Sequence, residues 1–323
     1  MYDVFKDTFT DFPPLLDIGY FANVVDIGNG QGMAIATDGV GTKSLVASML
    51  GVYDTIGIDC VAMNVNDLLC VGARPMAMVD YLSVSRDDPQ LTQEIFKGIR
   101  AGALEAGVAV VGGETAIVPD LLSYGAFDLS ATAIGLVSKD KITDGSAVRP
   151  GDKIIGLRSS GIHANGLTEA RQALLTNYAL FEYLDPLQKT LGEELLTPTR
   201  IYVRAVTVLC DAGVDVHAMI HITGGGFLNL KRVAASVGFM LDKLPDAPEL
   251  FKLIEKCGKY SPGPLYHIFN MGIGFCIVVP SVEVDRTLGL LCIEGESPSV
   301  IGTVIADKDR WVYILRRDIC VAI

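Results

Sequence analysis

The sequence has no apolar run approaching the roughly 18 residues that a membrane-spanning helix needs, no CxxC pair, no excess of basic charge and no heptad or short repeat. The first of these absences predicts a chain that does not cross a membrane. The start, with Asp3, Lys6, Asp7 and Asp11, lacks the pattern of a secretory leader, so a soluble, cytoplasmic protein is expected. The seven cysteines (60, 70, 210, 257, 276, 292 and 320) are odd in number and mostly sit in apolar runs, which fits reduced core thiols rather than zinc or disulfides. With 38 acidic against 26 basic residues the formal net charge is -12, which disfavours a nucleic-acid partner. Any phosphate must then be met locally, by glycine backbone and metal.

What is present is enough chain, and enough apolar residue, for two cores: 323 residues, half of them hydrophobic, against roughly 150 residues per domain. Residues 1–31 are weakly patterned. From residue 33 to about 140, β-like runs alternate with helical ones, which reads as an α/β (α+β) layer arrangement. The polar, glycine- and proline-bearing stretch ITDGSAVRPGDKI interrupts it, and a second alternating series follows from KIIGLR to WVYILR. We therefore divide the chain into residues 1–146 and 147–323.

Six stretches place polar residues within apolar elements or where they end. TDGVGTK (37–43) puts a carboxylate, Asp38, two glycines, Gly39 and Gly41, and then Thr42 and Lys43 at a helix entrance, the parts a metal-bound phosphate requires. An ordinary turn and helix start would show the same letters. The helical run DCVAMNVNDLL has an apolar face of Val61, Val65, Leu68 and Leu69, yet carries Asp59, Asn66 and Asp67 together on another side. Asp67 is a candidate metal ligand; the alternative is Asp59 as an N-cap with satisfied core amides. GGET (112–115) follows an apolar run, so that Glu114 and Thr115, with Gly113, stand at the carboxyl end of a strand, where ligands gather in α/β sheets. Asp38, Asp67 and Glu114 would supply magnesium with carboxylates. SSGIHANG (159–166) offers Ser160, His163, Asn165 and Gly166 for a phosphorylated sugar or for proton transfer by His163. HITGGGF (221–227) places His221, Thr223, Gly224, Gly225 and Gly226 as a phosphate nest, or as a site of close backbone packing. FNMGIGF adds Asn270 as a candidate base or ribose contact.

In this order DGVGTK, DTIGIDCVAMNVNDLL, VGARP, VDY, GGETA, SSGIHANGL, LLTPTRIYV, HITGGGF and FNMGIGF closely resemble the phosphoribosylformylglycinamidine cyclo-ligase (aminoimidazole ribonucleotide synthetase) family, from about residue 34 to the last strands. The resemblance implies two paired α/β domains and a homodimer whose N-terminal domains build a shared β-barrel. It implies ATP-dependent closure of formylglycinamidine ribonucleotide to 5-aminoimidazole ribonucleotide in purine biosynthesis, with magnesium. Carried onto matching positions, Asp38, Asp67 and Glu114 hold magnesium on ATP, and Lys43 and Thr42 stand near the phosphates. Ser160, His163, Asn165 and Gly166 serve the substrate, while His221, Thr223 and Gly224 to Gly226 form the phosphate loop. Lys43, His163 and Asp67 become the catalytic candidates.

The sequence departs from that pattern in places. Only 37 residues precede Asp38, GNGQG stands where the family has a longer glycine-rich loop, Ile117 replaces a usual Glu and His267 a usual Arg. Thiamine-monophosphate kinase, selenophosphate synthetase and the hydrogenase-maturation dehydratase share the metal-phosphate core, but TPTRIYV and HITGGGF favour the cyclo-ligase. The first cysteine is Cys60, and VAI follows Cys320 of RRDIC, unlike the reactive cysteines of the latter two. The alternative from another class is a non-catalytic nucleotide-binding paralogue.

Overall fold

A computed structural model describes residues 2–316 and 319–323; Arg317 and Asp318 of the RRDIC stretch lie outside them. The first half runs β1 (Asn23–Gly28), β2 (Gln31–Gly39), α1 (Lys43–Leu50), α2 (Asp54–Cys70), β3 (Arg74–Val84), α3 (Pro89–Ala106), β4 (Ala109–Ile117) and β5 (Phe127–Ser138). Its five strands form one sheet in the order β1-β2-β5-β3-β4, antiparallel except for the parallel pair β3–β4 that α3 connects. The second half runs β6 (Lys153–Arg158), α4 (Leu167–Leu174), β7 (Tyr183–Leu184), β8 (Lys189–Thr190), α5 (Leu191–Leu195), α6 (Val203–Asp211), β9 (Ala218–His221), β10 (Gly238–Leu241), α7 (Glu249–Gly258), α8 (Pro262–Ile268), β11 (Ile273–Val279), α9 (Val284–Ile293), β12 (Ser299–Ile305), β13 (Val312–Arg316) and β14 (Ile319–Ala322). Seven of its strands form the sheet β14-β13-β10-β12-β6-β11-β9, and β7 pairs with β8 alone.

The alternation along each strand decides which face of the first sheet is covered. On β2, Gly32, Ala34 and Ala36 are buried while Ile35 and Thr37 are exposed, and on β5 the buried set is Leu129, Ala131, Ala133 and Val137. The buried set faces α2, whose Cys60, Val61, Val65 and Leu68 are fully enclosed. The other face of the sheet is open, with Ile35, Val79, Tyr81 and Leu136 among its exposed side chains. Helix α2 is thus sandwiched by the sheet, by α3 and by β9 of the second half.

Three expectations from the sequence change here. The weakly patterned start holds β1, a strand paired antiparallel with β2. GGET does not end a strand: β4 continues through it to Ile117, because residues Gly112–Ile117 pair in register with Val79–Val84. The helix expected around 228–235 is a short 3-10 turn, Gly226–Arg232.

The crossing of α2 and α3 leaves no room for side chains. A β-carbon at Gly98 would collide with the carbonyl oxygen of Asp54, and one at Gly57 with backbone of Ile95 and Ile99. Alanine at Gly98 gains about 1 kcal/mol of helix propensity. Forcing a methyl into packed backbone costs about 1–3 kcal/mol, so Gly98→Ala is expected to lower the urea unfolding midpoint; an unchanged or raised midpoint would contradict the crossing geometry.

Candidate active site between the two halves

Four polar residues inside α2 are buried, and their partners come mostly from outside the helix. Asn64 turns back on the first sheet: its Oδ1 accepts from the backbone N–H of Asp38 at 2.9 Å, and its Nδ2 donates to the Asp38 and Cys60 carbonyls. Asn66 reaches across to the second half, donating to the Arg200 carbonyl at 2.9 Å and accepting from the Tyr202 N–H at 3.0 Å. Asp59 accepts from the backbone N–H and the hydroxyl of Thr199 at 2.7 and 2.6 Å. Asp67 accepts from Nδ1 of His221 at 2.9 Å. With Nδ1 donating, His221 Nε2 is left as the acceptor facing the Asn66 amide at 3.4 Å.

Asp38 and Asp67 form an acidic pair at this seam. Asn64 and Asp67 are three residues apart and so share one side of α2, and Asn64 clamps the backbone of Asp38. Burial raises the pKa of Asp38, and the charge of Asp67 raises it further. One oxygen of each carboxylate is used, Asp38 Oδ1 by the N–H of Gly39 and Asp67 Oδ1 by His221. Neither second oxygen has a hydrogen-bond partner among the described residues.

The turn SSGIHANG lies beside them. Thr42, after the glycines of the first motif, meets Thr168 hydroxyl to hydroxyl at 3.0 Å, and Gly224 abuts the Asn165 side chain. Gly166 adopts φ 76° with Phe269 against it, so a side chain is excluded there both by conformation and by space. Gly225 and Gly226 are also left-handed, at φ 93° and 54°, and a β-carbon on Gly226 would strike the Tyr266 carbonyl. Close packing therefore accounts for Gly226, while Gly224 and Thr223 border the seam.

His163 is enclosed, at 1% exposure, between Tyr202 and Gly274. Its Nε2 accepts the backbone N–H of Ser160 at 3.3 Å and faces that of Arg200 at 3.5 Å. The proton therefore sits on Nδ1, which has no partner. Burial holds the pKa of His163 well below the usual histidine value, with the His221 side chain adding to the effect.

Four expected placements do not hold within one chain. Lys43 is fully buried; its ammonium pairs with Asp59 at 2.8 Å and donates to the Thr197 carbonyl at 2.6 Å, so its donors are committed inside the protein rather than offered to phosphate. Burial lowers its pKa, opposed by Asp59. Glu114 pairs in register with Tyr81, one residue on from the row Asp38–Ala131–Asp80–Gly113, so it points to the open face of the sheet. Three strand spacings separate it from Asp38, roughly 14 Å. Gly113 and Thr115 share that edge strand, and no group of three or more His, Cys, Asp or Glu side chains among the described residues is arranged to hold a metal. Asn270 is also committed: it donates to the Gly161 and Ile162 carbonyls and accepts from Ser159 and Gly272, bracing the turn rather than facing a ligand. Asp59 is not an N-cap, since α2 begins five residues earlier.

Sequence reasoning passed over Thr199, Arg200 and Tyr202, whose backbone receives α2; polar letters within TPTRIYV were the available signal. It also missed the cleft of about 1120 Å³ lined by Pro14, Tyr20, Asp144, Lys231, Arg232 and Arg310. Arg232 lies close enough for its charge to act on Asp38, which places this cleft beside the acidic pair.

Because His163 is held neutral when folded, the unfolded chain takes up a proton first as pH falls below about 6.5. Stability is complete above that value and is lost below it, at up to about 1.4 kcal/mol per pH unit. Denaturation in urea at successive pH values should show a smaller acid loss for His163→Gln than for the parent protein; identical slopes would contradict the buried neutral ring.

Comparison with known proteins follows this geometry. The chain matches AIR synthase related protein, N-terminal domain, over residues 19–137 and AIR synthase related protein, C-terminal domain, over residues 149–314. It is 47% identical over 301 residues to the phosphoribosylformylglycinamidine cyclo-ligase of Methanothermobacter thermautotrophicus, covering 93% of this chain and 87% of that protein. It is 51% identical over 285 residues to the enzyme of that name from Thermococcus kodakarensis, covering 88% and 82%. Among solved structures, T. maritima PurL complexed with ATP aligns at TM-score 0.64 and 21% identity, over 95% of this chain and 46% of that one. AaThiL complexed with AMPPCP and TMP aligns at TM-score 0.66 and 18% identity, over 96% and 90%. These structural likenesses bear on the fold alone. Both halves of the sequence and most of its length agree with the curated relatives, and the chain belongs to the phosphoribosylformylglycinamidine cyclo-ligase family.

Proposed function

We propose that the protein catalyses ATP-dependent ring closure of formylglycinamidine ribonucleotide to 5-aminoimidazole ribonucleotide, releasing ADP and phosphate, in the cytoplasm. The observation that carries this reading is the acidic pair at the seam between the halves, near the SSGIHANG turn, in a chain about half identical to cyclo-ligases. No helix of the described residues is long and apolar enough to cross a membrane. The division into residues 1–146 and 147–323 belongs to the same reading, with the nucleotide between the halves.

The residues present fit magnesium. Asp38 is half-buried next to a second carboxylate, an arrangement that costs free energy until a cation offsets it, and each residue keeps one oxygen unused. Magnesium is commonly held by one or two carboxylates with phosphate and water completing its octahedron, so two protein ligands suffice. Bound there, it would neutralise charge on the triphosphate. Solved proteins of the same fold whose names record ATP or AMPPCP support nucleotide in the cleft.

In the reaction, the formyl amide oxygen takes the γ-phosphoryl group and ADP leaves. The amidine nitrogen then attacks the formyl carbon and phosphate departs, because a phosphorylated oxygen leaves where a bare amide oxygen would not. Both ends belong to one substrate, so holding them together supplies much of the rate. Ser160, Asn165 and Gly166 line the substrate side of the seam, and Thr223 with Gly224 and Gly225 the phosphate side. His163 acts from behind the turn: as a neutral acceptor for the N–H groups of Ser160 and Arg200 it fixes the loop shape rather than carrying a proton to solvent.

The open face of the first sheet is the proposed dimer surface. Ile35, Val79 and Tyr81, 38–48% exposed, give a contiguous apolar area that a second copy would cover, consistent with a barrel shared between subunits. Glu114 lies on this face, and we assign it to the subunit interface rather than to the metal of its own chain.

Incubating the protein with ATP, magnesium and formylglycinamidine ribonucleotide should yield aminoimidazole ribonucleotide with one ADP per turnover; absence of the product sinks the reading. Asp38→Asn is expected to cut ring closure by about 10²–10³-fold. Its thermal midpoint should stay level or rise, because the variant removes a poorly solvated charge; retained turnover would remove Asp38 from the metal. For the interface, light scattering on Tyr81→Lys should report a monomer where the parent is a dimer, and an unaltered mass would place the contact elsewhere.

A further inference from the structure

We propose that Glu296, through its ion pair with Arg200, is a positioning residue for the site. This rests on the proposed function for its kinetic consequence, though not for its structural one. Residues 197–202 have no regular secondary structure, so no repeating ladder holds them. Their placement depends on side-chain anchors, and Arg200 sits at the centre. Its N–H faces His163 Nε2 at 3.5 Å, while its carbonyl accepts from Asn66 at 2.9 Å. One backbone unit thus joins the substrate turn to the helix that carries Asp67.

The Arg200 side chain leaves this backbone for the other direction. Its Nη2 meets Glu296 Oε2 at 3.1 Å, with the Glu296 side chain only 8% exposed. No hydrogen-bond donor is aligned on that oxygen among the described residues, so charge rather than a directed hydrogen bond carries the contact with Arg200. Glu296 lies just beyond α9, and its own N–H donates to the Leu291 carbonyl at 3.0 Å, which fixes the carboxylate to the end of that helix. Helix α9 packs on α6, the helix that follows Arg200. The enclosed carboxylate has Arg200 as its one cationic partner, while the Arg200 side chain, 34% exposed, also reaches solvent, so the pair constrains Arg200 through the carboxylate's need for a counter-charge. Burial also raises the Glu296 pKa, countered by Arg200. The chain of contacts therefore runs from α9 through Glu296 and Arg200 to His163 on one side and to Asn66, His221 and Asp67 on the other.

The test compares Glu296→Ala and Glu296→Gln with the parent protein by amide hydrogen exchange, unfolding midpoint and steady-state kinetics. For Glu296→Ala, exchange at residues 199–202 should rise about tenfold while the sheets keep their protection. The kcat should fall about tenfold with KM for ATP within about twofold. Glu296→Gln, which keeps the shape and loses the charge, should resemble Glu296→Ala, and full protection at 199–202 in that variant would overturn the ion pair as the anchor. Unchanged exchange at 199–202, a rise shared by the whole chain with a lowered midpoint, or faster local exchange with unaltered kcat would each overturn the proposal. If the parent protein itself forms no ring product, the functional reading fails, and the latch is judged on the exchange data alone.

Discussion

Buried polar side chains must find partners, and on α2 that requirement assembles the site. Inside the first half alone Asn66 and Asp67 would each be unsatisfied and Asp59 would keep only Lys43, at a cost of about 1–3 kcal/mol for a neutral group and more for a charge. Their partners are the backbone of Thr199, Arg200 and Tyr202 and the ring of His221, all from the second half. Docking the halves and building the site are therefore one event. The same bonds fix where the acidic pair lies, since the helix that closes the core of the first half also carries Asp67 to the seam.

Two acidic residues of this helix have opposite fates because their surroundings differ. Asp59 meets a fully buried lysine and a threonine, so its charge is internally compensated and it serves as a bracket between α1, α2 and residue 199. Asp67 meets the ring of His221 and, on its other side, another carboxylate. One pair is complete without a ligand. The other leaves one oxygen of each carboxylate without a partner, and the proposed cation site rests on that contrast rather than on spacing in the sequence.

The alternation of strands and helices was legible from residue 33 onward, because the apolar period changes cleanly between β2, α2, β3, α3 and the later elements. Asp38, Asp67, the SSGIHANG turn and the glycine triplet stood out as polar interruptions of apolar runs, and the structure brings them together. Glu114 and Lys43 show where such reading stops. Whether Glu114 shares a face with Asp38 depends on β4 continuing through GGET and on a register set by β3, which local sequence does not carry. Whether Lys43 meets phosphate or Asp59 depends on a contact sixteen residues away, and its burial is a property of the assembled core. The strand β1 was invisible because its partner β2, rather than its own composition, makes it a strand.

The central claim is that Asp38 and Asp67, and no third carboxylate of the same chain, hold the divalent ion of a bound nucleotide. Crystals grown with manganese and a non-hydrolysable ATP analogue measure this directly through the anomalous signal of the metal. The account predicts a peak between the two free carboxylate oxygens at about 2.0–2.2 Å from each, a distance ordinary for a magnesium-like ion. A peak at Glu114 of the same chain, or one that leaves Asp38 without a bond to metal, would contradict it.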